Sequence, residues 1–423
     1  MDGIHKSGKG IVRVEDLIVC NFVCWPFVWS LWSYQRIPVA LLGAHFPVFF
    51  LPFLAVLSVF TSPMKLKKPM LFWLAFYLVT LLESHNARWR TYGMDLAISL
   101  SAWIICVSVG QRNYDRKKAV NCIRGIGLFV AVSIILERML RLFSGLLRPL
   151  YTTAALDHIK SNGFSGGALT LSGYAGCFIV PGFAALVILQ GSGKKNHRFY
   201  IEVVIYLVSL ILLKKRGFIL DIVLGILFLW YLDIRSQGKL AIHKNKGLKR
   251  LFAVLGILLA LFLLYAFVPF IHTALDGFLA KFYEEDGDFS GRGRLYALAM
   301  EIFRNNMLTG IGWGNFREQS IGVFYYKSTK TFEVHNVYLQ LLCENGIVGL
   351  IAFLLATGSM LLYSSRKCLL LTPNNTTVPT RREIVKLGVF LQVFFLAYCI
   401  SGNPLYDYNF AVTYFIGVLL AFA

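Results

Sequence analysis

The chain has 423 residues, 57% of them hydrophobic and only 15% charged, with a formal net charge of +20 and a mean hydropathy of +0.63. A soluble domain carries about 25% charged and about 45–50% apolar residues, so this composition argues against a soluble enzyme, a disordered chain and a secreted disulfide scaffold. Nucleic-acid binding needs basic residues gathered on a soluble surface. Here they sit in short runs between long apolar stretches, and no nucleic-acid partner is expected.

The first 16 residues are polar and basic, with no signal-peptide cleavage pattern after the apolar run that follows, so that run reads as a retained membrane span. Apolar runs of about 17–25 residues suit a hydrocarbon core about 30 Å thick. In chain order the candidates fall at 17–34, 41–61, 69–83, 93–110, 119–136, 171–190, 199–213, 217–233, 249–270, 346–363, 385–401 and 407–423. They are continuous and do not alternate with period two, which favours helices over a β-barrel. The expected fold is all-α: a polytopic membrane protein of about twelve transmembrane helices, with one large outer loop bearing short helices. The eight cysteines are scattered, mostly within the apolar runs, with no CxxC and no His at metal spacing. They read as buried, inert thiols.

Orientation follows from Lys and Arg in the short loops. With the N-terminus inside, the inner segments are the N-terminal tail, 64–68, 111–118, 194–198, 235–250 and 366–386. Together they hold 24 of the 42 basic residues, mostly lysine. Both termini are then cytoplasmic. The outer segments still carry 17 basic residues, 11 of them arginine, concentrated at 138–160, 214–216 and 271–335. Long loops escape the positive-inside rule. Lys214, Lys215 and Arg216 do not, because they occupy a very short outer turn. They read either as snorkelling side chains or as an anion site, since guanidinium forks match phosphate geometry.

The long polar segment opens with the acidic stretch 284–288, which reads as a solvated loop or, alternatively, a cation site. It continues through Arg292 and Arg294 into a short amphipathic helix near 295–303. Gly310, Gly312 and Gly314 follow, where glycine permits backbone conformations closed to other residues and close approach of a ligand. The segment closes on His335 and Asn336, where a helix re-enters the bilayer. A group with an ordinary pKa near 6.5 at that interface can serve as acid or base, or can simply be a hydrogen-bonded interface residue.

The run Arg294-x-Tyr-x-x-Ala-x-x-x-Phe, then Gly310-x-Gly-x-Gly-x-Phe, then His335-Asn336-x-Tyr-Leu-x-x-x-x-Glu344-x-Gly346-x-x-Gly349 resembles the signature region of the O-antigen ligase and O-antigen polymerase superfamily. These are polytopic enzymes of the bacterial inner membrane. Arg216-Gly217 is similar to the family's arginine at the corresponding outer turn, with Lys215 where a serine often stands. The match covers about 60 residues of the loop plus that turn. The first 130 residues match by topology only.

The resemblance implies a glycan donor linked through diphosphate to undecaprenol and presented in the periplasm, and transfer to an acceptor hydroxyl with inversion at the anomeric carbon. Arg216 and Arg294 would bind and neutralise the diphosphate, with Arg292 as a third cation. His335 would position or deprotonate the acceptor. Lys215, Gly312, Gly314, Asn336 and Tyr338 would complete substrate binding. Guanidinium groups aimed at a leaving diphosphate stabilise its developing charge, each well-aimed donor contributing about 2.7–4 kcal/mol. No metal or other cofactor is then required.

The implied division is N-terminal membrane helices with an outer loop over 1–170, further helices with the Arg216 turn over 171–270, a periplasmic catalytic loop over 271–335, and C-terminal helices over 336–423. The leading function is polymerisation of lipid-linked repeat units into O-antigen, capsule or exopolysaccharide. The alternative is ligation to lipid A–core, and a lipid-linked glycan flippase is a third reading. The bilayer, donor and acceptor are the implied partners, with a chain-length regulator and a flippase as further ones. The first outer loop, 34–39, lacks the acidic pair of metal-dependent membrane glycosyltransferases, which disfavours that mechanism.

Overall fold

The computed structural model describes residues 13–35, 46–83, 89–112, 114–142, 172–189, 197–213, 215–237, 292–323, 331–371 and 381–422. Every regular element among them is helical: α1 (Val14–Gln35), α2 (Phe46–Thr61), α3 (Lys68–Leu82), α4 (Trp89–Val109), α5 (Arg116–Leu142), α6 (Ser172–Leu189), α7 (His197–Leu212), α8 (Arg216–Gln237), α9 (Arg292–Asn305), α10 (Phe316–Gln319), α11 (Val337–Leu370), α12 (Arg381–Ser401) and α13 (Tyr408–Ala421). Eleven of the expected apolar runs coincide with helices. The run 249–270 and the acidic stretch 284–288 lie outside the described residues.

Among the described residues, five helices are long and apolar enough to cross a membrane, with segments Tyr92–Val109, Arg116–Met139, Gly217–Ser236, Val337–Leu370 and Arg381–Ser401. Shorter apolar helices accompany them. The layering follows from how much of each helix surface is apolar. In α13 every residue from Asn409 to Ala421 is buried, as expected of a helix that is apolar all round and sits at the centre of a bundle. Helices α12, α4 and α1 surround it, α8 packs on α12, and α3 packs along α11. Trp73 of α3 ties these layers together. Its ring meets Phe353 of α11 edge-on at 6.2 Å and its indole donates to the Tyr414 hydroxyl of α13 at 3.3 Å.

Helix α7 shows the opposite polarity to a soluble surface helix. Tyr200, Ile201, Val204, Leu207, Val208 and Ile211 form one exposed face at spacings of one helix side. The buried face carries Glu202, which accepts from Arg124 Nε at 2.9 Å and from Arg198 Nε at 2.9 Å. An apolar outside and an ion-paired inside are what a hydrocarbon surround demands. Arg124 lies more than two turns into α5, so the ion pair, not a helix end, is what accommodates it.

Candidate functional site

The site is organised by a break in α11. Asn336 opens this helix as its N-cap, accepting from the Leu339 amide at 3.1 Å. At Gly346 the backbone turns to φ 62°, ψ −167°, a region essentially reserved for glycine. The interruption leaves the Cys343 and Glu344 carbonyls without helical partners. They accept instead from the Ile311 amide at 3.0 Å and the Gly312 amide at 2.8 Å, while the Ile347 amide donates to the Met307 carbonyl at 2.9 Å. A Cβ on Gly346 would strike the Leu308 carbonyl, and one on Gly310 (φ 67°) would strike the Glu344 backbone. The close approach made by this loop is therefore to the chain's own broken helix, through the Gly312 amide and the left-handed turns at Gly312 and Gly314.

Behind the loop lies a set of buried carboxylates, each with assigned donors. Glu344 accepts from the Phe316 amide at 3.2 Å, from the Gly314 amide and from the Tyr406 hydroxyl at 2.9 Å. Trp313 donates to Asp95 Oδ2 at 2.8 Å and lies 4.6 Å from the Tyr406 ring. Asn345 donates to Glu83 at 3.0 Å. Nearer the surface, Glu333 pairs with Arg317 and accepts from Asn403 Nδ2 at 2.8 Å. These bonds fasten the loop to α3, α4 and the turn between α12 and α13, and so fix the backbone on either side of His335.

His335 itself has φ 59°, the one positive value among described residues other than glycine. A left-handed conformation with a Cβ costs about 1–2 kcal/mol, which points to a function rather than to packing. Burial first, then the charges of Arg292 and Lys215, hold its imidazole below the usual histidine range against the pull of Glu333. The ring is thus neutral near pH 7 and can accept a proton.

Two cations define the space beside it. Lys215 Nζ donates to the Tyr398 hydroxyl at 2.7 Å and stands 5.0 Å from the Phe218 ring centre. Its pKa falls to about 8, mainly through burial, with Arg292 adding to the fall and Asp407 opposing it. Arg292 Nη1 donates to the Ser401 carbonyl at 3.1 Å. Gly217 lets the start of α8 rest on the same residue, since a Cβ there would lie 3.0 Å from Ser401 Oγ. The beginnings of α8 and α9 thus meet at the end of α12, beside the residue that precedes α11. The carboxyl of Asp407, the N-cap of α13, faces Lys215 and accepts from the Asn409 amide at 2.9 Å.

The residues expected from sequence divide as follows. His335, Lys215 and Arg292 come together. Arg294 does not join them: it is exposed and lies about 200° around α9 from Arg292, away from the buried stripe Leu295, Ala299 and Ile302. Arg216 opens α8, and its side chain, like Lys214, lies outside the described residues. Asn336 is used as a helix cap, and Tyr338 donates to the Leu396 carbonyl at 2.9 Å, so both hold the frame beside His335. Among the described residues no group of His, Cys, Asp and Glu is arranged to hold a metal.

Sequence reasoning missed Tyr398, Ser401, Asn403, Tyr406 and Asp407, all at the end of α12 or in the turn after it. The Asn403-Pro404 dipeptide signals that turn but not its destination. Asp95 was detectable as a carboxylate within an apolar run.

Residues 201–354 match the family model described as O-Antigen ligase. That interval holds Lys215, Arg216, Arg292, the glycine loop, His335 and the break at Gly346, while the supporting turn at 402–407 lies beyond it. No curated protein matches the chain. The matched interval is also the one that gathers the basic cluster around His335, and over those residues the chain is similar to the O-antigen ligase family.

Proposed function

We propose that this site transfers a glycan from undecaprenyl diphosphate to an acceptor hydroxyl, and that the reaction is polymerisation of oligosaccharide repeat units. The observation that carries the reading is a strained, neutral His335 flanked by Arg292 and Lys215. The acceptor hydroxyl gives its proton to the imidazole as its oxygen bonds to the anomeric carbon. The bond from that carbon to the diphosphate oxygen breaks on the opposite side, with inversion. The negative charge gathered on the leaving diphosphate is held by Arg292 and Lys215, with Arg216 and Arg294 assigned to the same anion by resemblance. Preplaced cations in a water-poor pocket stabilise such a charge without reorganising.

The accompanying arrangement is twelve membrane crossings in the bacterial inner membrane, both termini cytoplasmic, and a periplasmic catalytic loop over 271–335. The domain limits at 170, 270 and 335, and the pairing with a chain-length regulator and flippase, belong to the same proposal. The second acceptor site that a polymerase needs is assigned to the outer loop near 141–170, most of which lies outside the described residues. Polymerisation is favoured by the His335-Asn336-x-Tyr338-Leu339 run followed by Glu344-x-Gly346. Ligation to lipid A–core is the second reading, favoured by the description of the matching family.

Deleting the gene in its native host separates them. Loss of all chains longer than one repeat supports polymerisation, whereas long chains stranded on carrier lipid would assign ligation. Purified protein that lengthens or transfers lipid-linked glycan in detergent excludes a purely transporting role.

A further inference from the structure

At the end of the bundle opposite His335, four basic side chains from separate segments line one cavity of about 270 Å³: Lys67, Arg116, Lys367 and Arg381, with Gln111 and Tyr363 beside them. The two ends are fixed by shared helices. His335 precedes α11 and Lys367 is in its last turn, while Arg381 begins α12 and Ser401 ends it. The cavity lining contains no carboxylate. Lys367 Nζ donates to the Phe422 carbonyl at 2.7 Å, the Arg116 guanidinium lies 5.3 Å from the Tyr114 ring centre, and Arg116 Nε is buried without a hydrogen-bond partner.

Orientation in the membrane asks only that basic residues lie in the loops on one side. It does not ask that four of them turn toward a common space, where like charges repel. The nearby pairs show the usual solution: Asp233 takes Arg382 at 2.9 Å and Lys386 at 2.6 Å. Among the described residues the cavity has no such partner, and it is large enough for several waters or a compact anion. We infer that this cavity binds a phosphate group, carried either by an anionic lipid headgroup or by a soluble phosphate. Guanidinium forks and ammonium points converging on one space are the chemistry that recognises phosphate oxygens. The site is independent of the transfer reaction proposed above.

Full-length protein in phosphatidylcholine nanodiscs is titrated with inorganic phosphate, and its thermal unfolding is compared with protein in nanodiscs containing phosphatidic acid. The wild type is stabilised by one or both additions. Lys367→Gln/Arg381→Gln loses that stabilisation, and Lys67→Gln, at an exposed position, weakens it about tenfold, the effect of one 1.4 kcal/mol contact. Lys117→Gln/Arg366→Gln removes the same charge outside the cavity and keeps the response. Stabilisation by free phosphate assigns a soluble ligand. Stabilisation by phosphatidic acid alone assigns a lipid headgroup. An equal response in the cavity variants and the charge-matched control would overturn the site, as would no response to either addition.

Discussion

The two ends of this bundle are both basic, yet they are built differently. Around His335 the cations stand among carboxylates, and the backbone is strained at His335 and turned through left-handed glycines at 310, 312, 314 and 346. Around Lys367 the cations meet without a carboxylate, on ordinary helix ends. Strain and balanced charge mark a place where a reacting group must be held in one geometry. Uncompensated charge on regular backbone marks a place where an anion can supply what the protein lacks. The same residue types therefore carry different meanings, and the difference lies in what surrounds them.

The largest test of this contrast is Gly346→Ala. Glycine-only backbone costs an added side chain about 1–3 kcal/mol, before the clash with the Leu308 carbonyl is counted. The variant should lose both transfer activity and resistance to thermal unfolding, whereas Lys367→Gln/Arg381→Gln at the other end should transfer glycan at the wild-type rate. Wild-type stability in Gly346→Ala would show that the broken helix does not hold the loop.

Next come the substitutions that separate the cations. His335→Ala should reduce kcat by about 10²–10⁴-fold, the usual contribution of a positioned acid or base. Arg292→Ala should cost about 10²–10³-fold, as for loss of one charge-stabilising donor. Arg294→Ala, at an exposed position, should cost far less. Transfer assays with purified variants would reveal the opposite order if Arg294 turns inward when donor binds. Arg216→Ala asks the same of the side chain assigned by resemblance.

The pH dependence should follow from the same neighbours. His335 must be neutral to take a proton, and its pKa is lowered, so the acid limb should lie below the ordinary value near 6.5. Lys215 must stay protonated to hold an anion, and it loses its charge as pH rises through about 8. Transfer should therefore be flat around neutrality and fall on the alkaline side. Lys215→Arg should move that limb upward, because guanidinium stays charged. A profile unaltered by Lys215→Arg would remove lysine from the anion site.

The smallest effect concerns strain alone. His335→Gly removes the left-handed penalty that His335→Ala retains, so the glycine variant should unfold at higher denaturant, by about 1 kcal/mol or less once the entropy of glycine is included. Both should lose transfer activity to the same extent. Equal stability would mean that the left-handed turn is not stored strain.

Much of the site could be read from the sequence because its parts announce themselves locally. An Arg in a three-residue outer turn, a glycine run and a His at the mouth of a helix are each visible within ten residues. Arg292 and Arg294 show the limit. They are two residues apart, and only the burial of Leu295, Ala299 and Ile302 decides which side of α9 faces His335. Tyr398 and Asp407 were out of reach because nothing in their own neighbourhoods marks them as partners of Lys215, nearly two hundred residues away.

By itself the sequence determined the membrane class and most of the helices, because hydropathy acts locally along the chain, and it divided the basic residues between two sides only as an expectation. It treated the inner share as topology alone and the glycine loop as a ligand cradle. On both points tertiary structure adds contacts that local pattern does not carry. Burying the carbonyls freed at Gly346 requires donors, and the loop amides are the ones within reach. Packing α3, α5, α11 and α12 together brings four cations from separate helix ends to one cavity. Which charges face a common space is a property of packing, and no local pattern encodes it.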